Sequence, residues 1–303
     1  MRGSTRKIAR IHGWRIDRFV HNYLYFVFYH PYVRVAMALV NLARRLTWLK
    51  PLRIAGGMVF DRYHSKVLSA ADAKKIFVLD ATLYLDSQNN KQVIPFRYAT
   101  RIIFQEPTYI AVMDCPCKAA TGTCEPVACC IAVGKKIADF WLDHCRKYHA
   151  RRVSQQEALA IIRHYRRQCH ITQAFFKVAT GGSTGVICNC CPDCCVSLKA
   201  TAVARCLDPG LSMNAPAGYR VRYDATRCTQ CGKCATVCHF EAVWQKNGQR
   251  RYTAALCMGC ELCVEHCPQQ ALSLEIDPTK PLPLDLDRIR RGTQSAAGAP
   301  MRP

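Results

Sequence analysis

Cys228, Cys231, Cys234 and Cys238 recur as Cys257, Cys260, Cys263 and Cys267, a constant offset of 29 residues that also superposes Ala242 on Ala271. Eight cysteines repeating in register form an internal duplication. It constrains its stretch more tightly than any hydrophobic pattern, because the thiols must end up around common centres. In each copy two cysteines on neighbouring turns of a loop can grip two corners of an inorganic core, and the third takes another corner. The fourth begins a short helix leading away from its own loop and reaches the other core. Zinc needs only paired Cys-x-x-Cys with tetrahedral sulfur, which leaves the third cysteine of each run and the repeat itself unexplained.

Over roughly residues 219–276 the sequence resembles the bacterial-type two-cluster ferredoxins. The resemblance implies two [4Fe–4S] clusters, one held by Cys228, Cys231, Cys234 and Cys267 and the other by Cys257, Cys260, Cys263 and Cys238. One position departs from the pattern. Pro268 closes the second run as the family predicts, whereas His239 takes the proline position of the first, with no ligand lost. The simplest reading of His239 is a tolerated surface residue; the alternative is a hydrogen bond or titrating charge near sulfur that tunes a reduction potential.

The chain holds 21 cysteines, so thirteen lie outside the repeat. Ten form two groups: Cys115, Cys117, Cys124, Cys129 and Cys130, then Cys188, Cys190, Cys191, Cys194 and Cys195. The stretches DCPCKAATGTCEPVACC and VICNCCPDCCVSLKA resemble a group of ferredoxin-like proteins with a Cys-x-Cys followed by more cysteines, an Ile-Cys-Asn-Cys-Cys stretch and a C-terminal two-cluster module. That likeness covers most of residues 93–276. The adjacent cysteines are also similar to the Cys-Cys-Gly motifs of heterodisulfide reductases, but the glycine is missing after Cys130, Cys191 and Cys195. Five cysteines are one more than a cube requires, and neighbours on an extended chain point to opposite faces. Each group can supply one cluster with a spare thiol, or the two can jointly surround a larger or open-sited centre. One or two further iron–sulfur clusters are the leading expectation, with zinc and disulfide or free thiol as alternatives. Cys145, Cys169 and Cys206 stand alone and read as core residues.

The fold class reads as α+β in four parts: a basic amphipathic helical region (1–92), a cysteine-rich α/β domain (93–218), the ferredoxin-like module (219–276) and a Pro-rich extended tail (277–303). In the second part, YIAVMD reads as a buried strand delivering Cys115, and VACCIAVGKKIADFWLDHCRKY has helical periodicity. Ser154 and Glu157 form a capping box that opens a helix. ITQAFFKV and STGVICNC read as short strands around a Gly181-Gly182 turn, and GYRVRYD as a strand entering the module. His144, His149, His164 and His170, set among arginines, read as solvated surface groups.

Cysteine-rich chains are either disulfide-bonded and exported or thiolate-rich in a reducing compartment. No small-x-small cleavage site follows the basic start, which points to a cytoplasmic chain. The net charge is +22, and two cubes, each about −2 with its four thiolates, leave it near +18. Residues 1–75 hold fifteen Lys/Arg against three acids, interleaved with Trp14, Phe19, Tyr23, Tyr25, Phe26, Phe28, Tyr29, Tyr32 and Trp48. The apolar runs there are too broken to span a bilayer but suit the inner membrane interface; packing on the rest of the protein is the plainer alternative. Nucleic acid ranks last, since no binding motif is recognisable. No nucleotide site is evident, because GGSTG lacks the lysine of a phosphate loop.

The function this supports is single-electron transfer with a redox protein partner, docked at an anionic membrane surface or a membrane-bound oxidoreductase. The alternative is an iron–sulfur oxidoreductase or reductive activator, with an open-site cluster or a reactive cysteine in the middle domain.

Overall fold

The computed structural model describes residues 3, 5–6, 9, 16–49, 51–60, 63–85, 92–95, 102–122, 124, 128–177, 184–208 and 211–287. Its strands are β1 (Tyr63–Val67), β2 (Leu83–Leu85), β3 (Ile102–Phe104), β4 (Ile110–Asp114), β5 (Ala128–Val133), β6 (Arg151–Val153), β7 (Ile171–Lys177), β8 (Thr184–Cys190), β9 (Asn214–Ala215), β10 (Tyr219–Tyr223), β11 (Val243–Lys246), β12 (Gln249–Tyr252) and β13 (Leu272–Ile276). The helices are α1 (Ile16–Val27), α2 (Tyr29–Arg45), α3 (Pro51–Phe60), α4 (Ala70–Ile76), α5 (Pro116–Thr121), α6 (Lys135–His144), α7 (Gln155–Arg167), α8 (Val196–Leu207), α9 (Lys233–Thr236) and α10 (Leu262–Glu265).

Seven strands form the central sheet in the order β6-β4-β5-β8-β7-β1-β9, antiparallel except for the β1–β9 pair. Successive residues of a strand face opposite sides, and here the two sides differ in chemistry. Ile110, Val112, Ile131, Val133, Ala174, Phe176 and Ile187 pack with Ala158 and Ile162 of α7 and with Ala73 and Ile76 of α4 into a mainly apolar layer, in which buried His64 stacks on Phe176. Ala111, Met113, Cys130, Ala132, Cys188 and Cys190 face the opposite layer, closed by Tyr25, Tyr29 and Val33 of α1 and α2 and by Leu198 of α8. Cys130 stands directly opposite Cys188 in the β5–β8 register. Half of the core is therefore lined with sulfur.

Several expectations hold locally. YIAVMD forms β4, ITQAFFKV and STGVICNC pair as β7 and β8, and GYRVRYD forms β10. Ser154 caps α7 by accepting a hydrogen bond from Glu157 N at 3.1 Å. The Gly181-Gly182 turn lies outside the described residues. The helix expected to run from residue 127 is a correction: Ala128–Val133 is strand, and α6 begins only at Lys135. A short apolar run buried on both faces fits either period. Gly134, at φ 98° and with no room for a side chain beside the Gln105 carbonyl, makes the break.

The line at residue 92 does not separate a helical region from the sheet, since β1 pairs with β7 along its whole length. Nor is the tail wholly detached: Leu284 and Leu286 are buried in the apolar layer, and Lys75 meets Asp285 at 2.6 Å and Asp287 at 2.9 Å. The part after residue 287 lies outside the described residues.

The module is closed by β10 and β13, which pair its two ends, and by the β11–β12 hairpin turning at Asn247-Gly248. Its duplication is written into the backbone. Gln230 and Gly259, Gly232 and Glu261, and Glu241 and Gln270 are pairs 29 residues apart, and all six have positive φ. On α1 and α2, Ile16, Val20, Leu24, Val35, Leu39 and Leu42 are exposed on the side away from the packed tyrosines, beside exposed Arg34, Arg44 and Arg45. Among the described residues no helix is long and apolar enough to cross a membrane.

Candidate metal centres

Cys228, Cys231, Cys234 and Cys267 line one hollow at the module surface, three from the first run and one from the second. Backbone N–H groups of Gln230 and Ala271 donate to the sulfurs of Cys228 (3.4 Å) and Cys267 (3.3 Å). Arg250 of β12 lines the same hollow, its guanidinium held over the rings of Tyr223 and Tyr252. Its buried Nε and Nη2 have no hydrogen-bond partner. A cradle of four thiols with a cation whose donors are otherwise unmet fits a cube of net charge about −2.

The other four cysteines of the repeat sit deeper. Burial pushes the Cys260 thiol up to about 12. The Cys263 thiol is raised by burial and then by Cys260, Cys238 and Cys257 beside it. A bound metal would deprotonate them outright. Residues 227–272 match the family model of the 4Fe-4S dicluster domain. The chain therefore carries a ferredoxin-like iron–sulfur module, which spans the whole duplication, within a larger cysteine-rich protein. Comparison with curated proteins gives no match.

The module is locked to the sheet through its second run. Arg166, buried at the end of α7, clasps Glu265 with Nη2 at 2.6 Å and Nε at 2.9 Å and donates to the Cys260 carbonyl at 2.8 Å. Glu261 accepts from Ala70 N at 2.6 Å, at the start of α4. Met258, Leu262 and Cys260 enter the same apolar layer as the sheet cysteines. His239 is half-buried, and its Nε2 donates to the Cys169 carbonyl at 2.6 Å. The expectation of a plain surface histidine is corrected: it binds the module to the turn after α7.

Cys169 itself lies in that turn at φ 61°, half-buried, with its sulfur 3.4 Å from His266 Nε2. Of the three solitary cysteines only Cys145 is core, buried, with its thiol pushed up to about 12 by burial. Cys206 is exposed on α8, where its thiol donates to the carbonyl of Ala202 one turn back. His170 is likewise not solvated. It stacks on Tyr165 at 5.1 Å and is held down to about 4 by burial and then by Lys118.

The ten middle cysteines regroup across the two sequence clusters. Cys115 accepts from Cys117, Cys129 and Cys130; Cys117 also contacts Cys195; Cys195 contacts Cys190, and Cys190 contacts Cys188. Cys188 closes the circle on Cys130 at 3.8 Å. Seven thiols thus form one continuous ring, four from the first group and three from the second. Cys115 and Cys195 stand at the N-cap positions of α5 and α8. Hydrogen bonds from neighbouring thiols, and then from the helix amides of Lys118 and Leu198, hold both well below the usual thiol range.

The remaining three, Cys124, Cys191 and Cys194, gather separately. Their sulfurs lie within 4.8 Å of one another, as do those of Cys115, Cys129 and Cys130 in the ring; no module cysteine belongs to either trio. Four residues other than cysteine stand beside these sites: Arg250, Arg166, Lys118 and Asp193. Lys118 is buried with Nζ 4.4 Å from the Tyr165 ring centroid. Only for Asp193 did the sequence carry a signal, its place inside a Cys-x-x-Cys.

Proposed function

We propose that the protein is a one-electron relay with an outer entrance and a buried terminus. Cys228, Cys231, Cys234 and Cys267 hold the outer cube, Cys257, Cys260, Cys263 and Cys238 the inner one, and the seven-thiol ring a further iron–sulfur centre. Such clusters, when bound, supply single-electron storage over a wide range of potentials. The chain's own residues set direction and insulation. The outer hollow is lined by exposed Lys233, and Arg222, Arg227 and Arg251 are exposed elsewhere on the module, a charge that suits an acidic redox partner. Of the inner cysteines, Cys260 packs in the sheet layer while Cys257 and Cys263 are buried in the module's own core, and the ring is sealed by Tyr25, Tyr29 and Leu198.

One observation carries this reading: Cys260 belongs to the inner cluster set and packs in the same layer as Cys115, Cys129, Cys130, Cys188, Cys190 and Cys195. The test is Cys260→Ser with rapid-freeze electron paramagnetic resonance. The expected result is a reduced outer cluster with a middle centre that no longer fills at the wild-type rate. Filling at an unchanged rate rejects the relay order.

The exposed apolar stripe of α1 and α2 with its flanking arginines supports docking of the relay at an anionic membrane surface. A second reading, an oxidoreductase or reductive activator working at the middle centre, draws support from the ring itself. Seven thiols exceed the four of a cube, and two of them favour the thiolate, the nucleophilic form.

A further inference from the structure

Ten cysteines in one domain invite assignment to a single kind of cofactor, but the trio Cys124, Cys191 and Cys194 differs from the ring in three ways. It is discrete: Cys194 and Cys191 contact Cys124 at 2.8 Å and 3.6 Å, and none of the three takes part in the sulfur circle. It has a carboxylate beside it, Asp193 Oδ2 at 3.8 Å from Cys191 Sγ. And two of its members lie in a Cys-Pro-Asp-Cys turn whose first carbonyl accepts from the amides of both Cys194 and Cys195, the tight knuckle that aims two thiols at one point.

Spacing separates a single ion from a cube. Two thiolates on one tetrahedral zinc, each at about 2.3 Å, stand about 3.8 Å apart. Thiolates on different corners of a cube have the whole core between them. The eight module cysteines, matched to a two-cluster family, supply none of the tight trios, whereas this group closes within 4.8 Å. The ring trio is as tight, but its sulfurs continue into four more thiols, so it is not a closed set. The three thiols are a closed set one ligand short of four, and the Asp193 carboxylate, 3.8 Å from Cys191 Sγ though outside the 4.8 Å group, stands beside it.

We propose that Cys124, Cys191 and Cys194, with the Asp193 carboxylate as fourth ligand, hold one structural zinc ion, separate from the iron–sulfur centre of the other seven cysteines. The ion pins the segment between Cys117 and Cys129 to the turn between Cys190 and Cys195, the two stretches from which the ring hangs. Its anionic ligand set has a counter-charge in the ammonium of buried Lys118, which acts on Cys124.

The test uses the full chain, purified anaerobically after growth with added zinc, with zinc and iron counted by mass spectrometry and zinc K-edge X-ray absorption recorded on the holoprotein. The expected result is about one zinc per chain, with three sulfurs near 2.3 Å and one oxygen near 2.0 Å. Cys124→Ser, at a half-buried residue, should lose the zinc and keep the iron and the cluster resonances. Asp193→Asn should weaken zinc retention against a chelator by about 10- to 100-fold. Absence of zinc from the wild type, a four-sulfur shell, or a Cys124–Cys194 disulfide in the anaerobic protein each overturns the assignment. So does a loss of about four iron in Cys124→Ser. Iron content and resonances report on the relay independently, so failure of the zinc site and failure of the relay are distinguishable.

Discussion

The module and the middle domain both gather cysteines, but by opposite means. In the module the thiols ride on two copies of one loop, and the loop's own left-handed residues fold it round its contents. In the middle domain they hang from elements whose positions are set by the rest of the core: Cys130, Cys188 and Cys190 from adjacent strands, Cys115 and Cys195 from helix N-termini. A loop site is local and survives wherever its loop does. A site built on a sheet depends on the register of every strand beneath it. The outer set accordingly meets solvent, with Cys231 exposed, and the ring is buried almost throughout.

That contrast is broken or sharpened most strongly by Cys115→Ser. Cys115 touches three ring thiols, so its loss should remove the iron bound beyond the module and leave about eight iron and the module's resonances; iron analysis with electron paramagnetic resonance decides. If module iron falls as well, the two sites are not independent. Next comes Glu265→Gln, which strands the buried Arg166 guanidinium. Breaking a buried pair costs up to about 3–5 kcal/mol; the Glu265 side chain is 31% exposed, so a loss nearer 2 kcal/mol is expected, read as lowered stability in denaturant titration. Arg250→Gln should be smaller and confined to the outer cluster. Removing a cation makes reduction harder, and a negative shift on the order of 60 mV corresponds to about 1.4 kcal/mol for a one-electron couple; potentiometry should find the inner potential nearly unmoved. Smallest is Cys206→Ser, expected to change stability by less than about 0.5 kcal/mol and to lower maleimide labelling of the folded holoprotein by the share of its one exposed solitary thiol.

The same contrast governs what could be read from the chain. The module was legible down to its repeat because its spacing is local, and even the β11–β12 hairpin has a sequence sign in Asn247-Gly248. The ring was not. Division into five and five followed chain order, whereas Cys124 leaves the first group and Cys191 and Cys194 leave the second because strand pairing, which spacing does not encode, brings Cys130 against Cys188. Cys206 misled for a related reason: a cysteine on a helix is core or surface according to which face packs, and Ala200 and Ala204 of α8 took the inner side. His239 is legible only in retrospect, since its partner is a backbone carbonyl at residue 169 and backbone leaves no mark in composition.

One pair of residues in the duplication carries a history. Gly232 and Glu261 occupy the same left-handed position in the two loops, φ 77° and 71°. Glycine adopts that conformation freely, while another residue bears roughly 1–2 kcal/mol of strain. The copy facing solvent keeps the glycine. The copy facing the sheet has a glutamate, whose carboxylate finds the Ala70 amide waiting. Glycine is held at 232 by the Gln245 side chain, which leaves no room for a Cβ, whereas the glutamate at 261 is held by a contact outside the module. The module has thereby ceased to be a cassette: cut out alone, its inner loop would keep the strained residue and lose the contact that holds it.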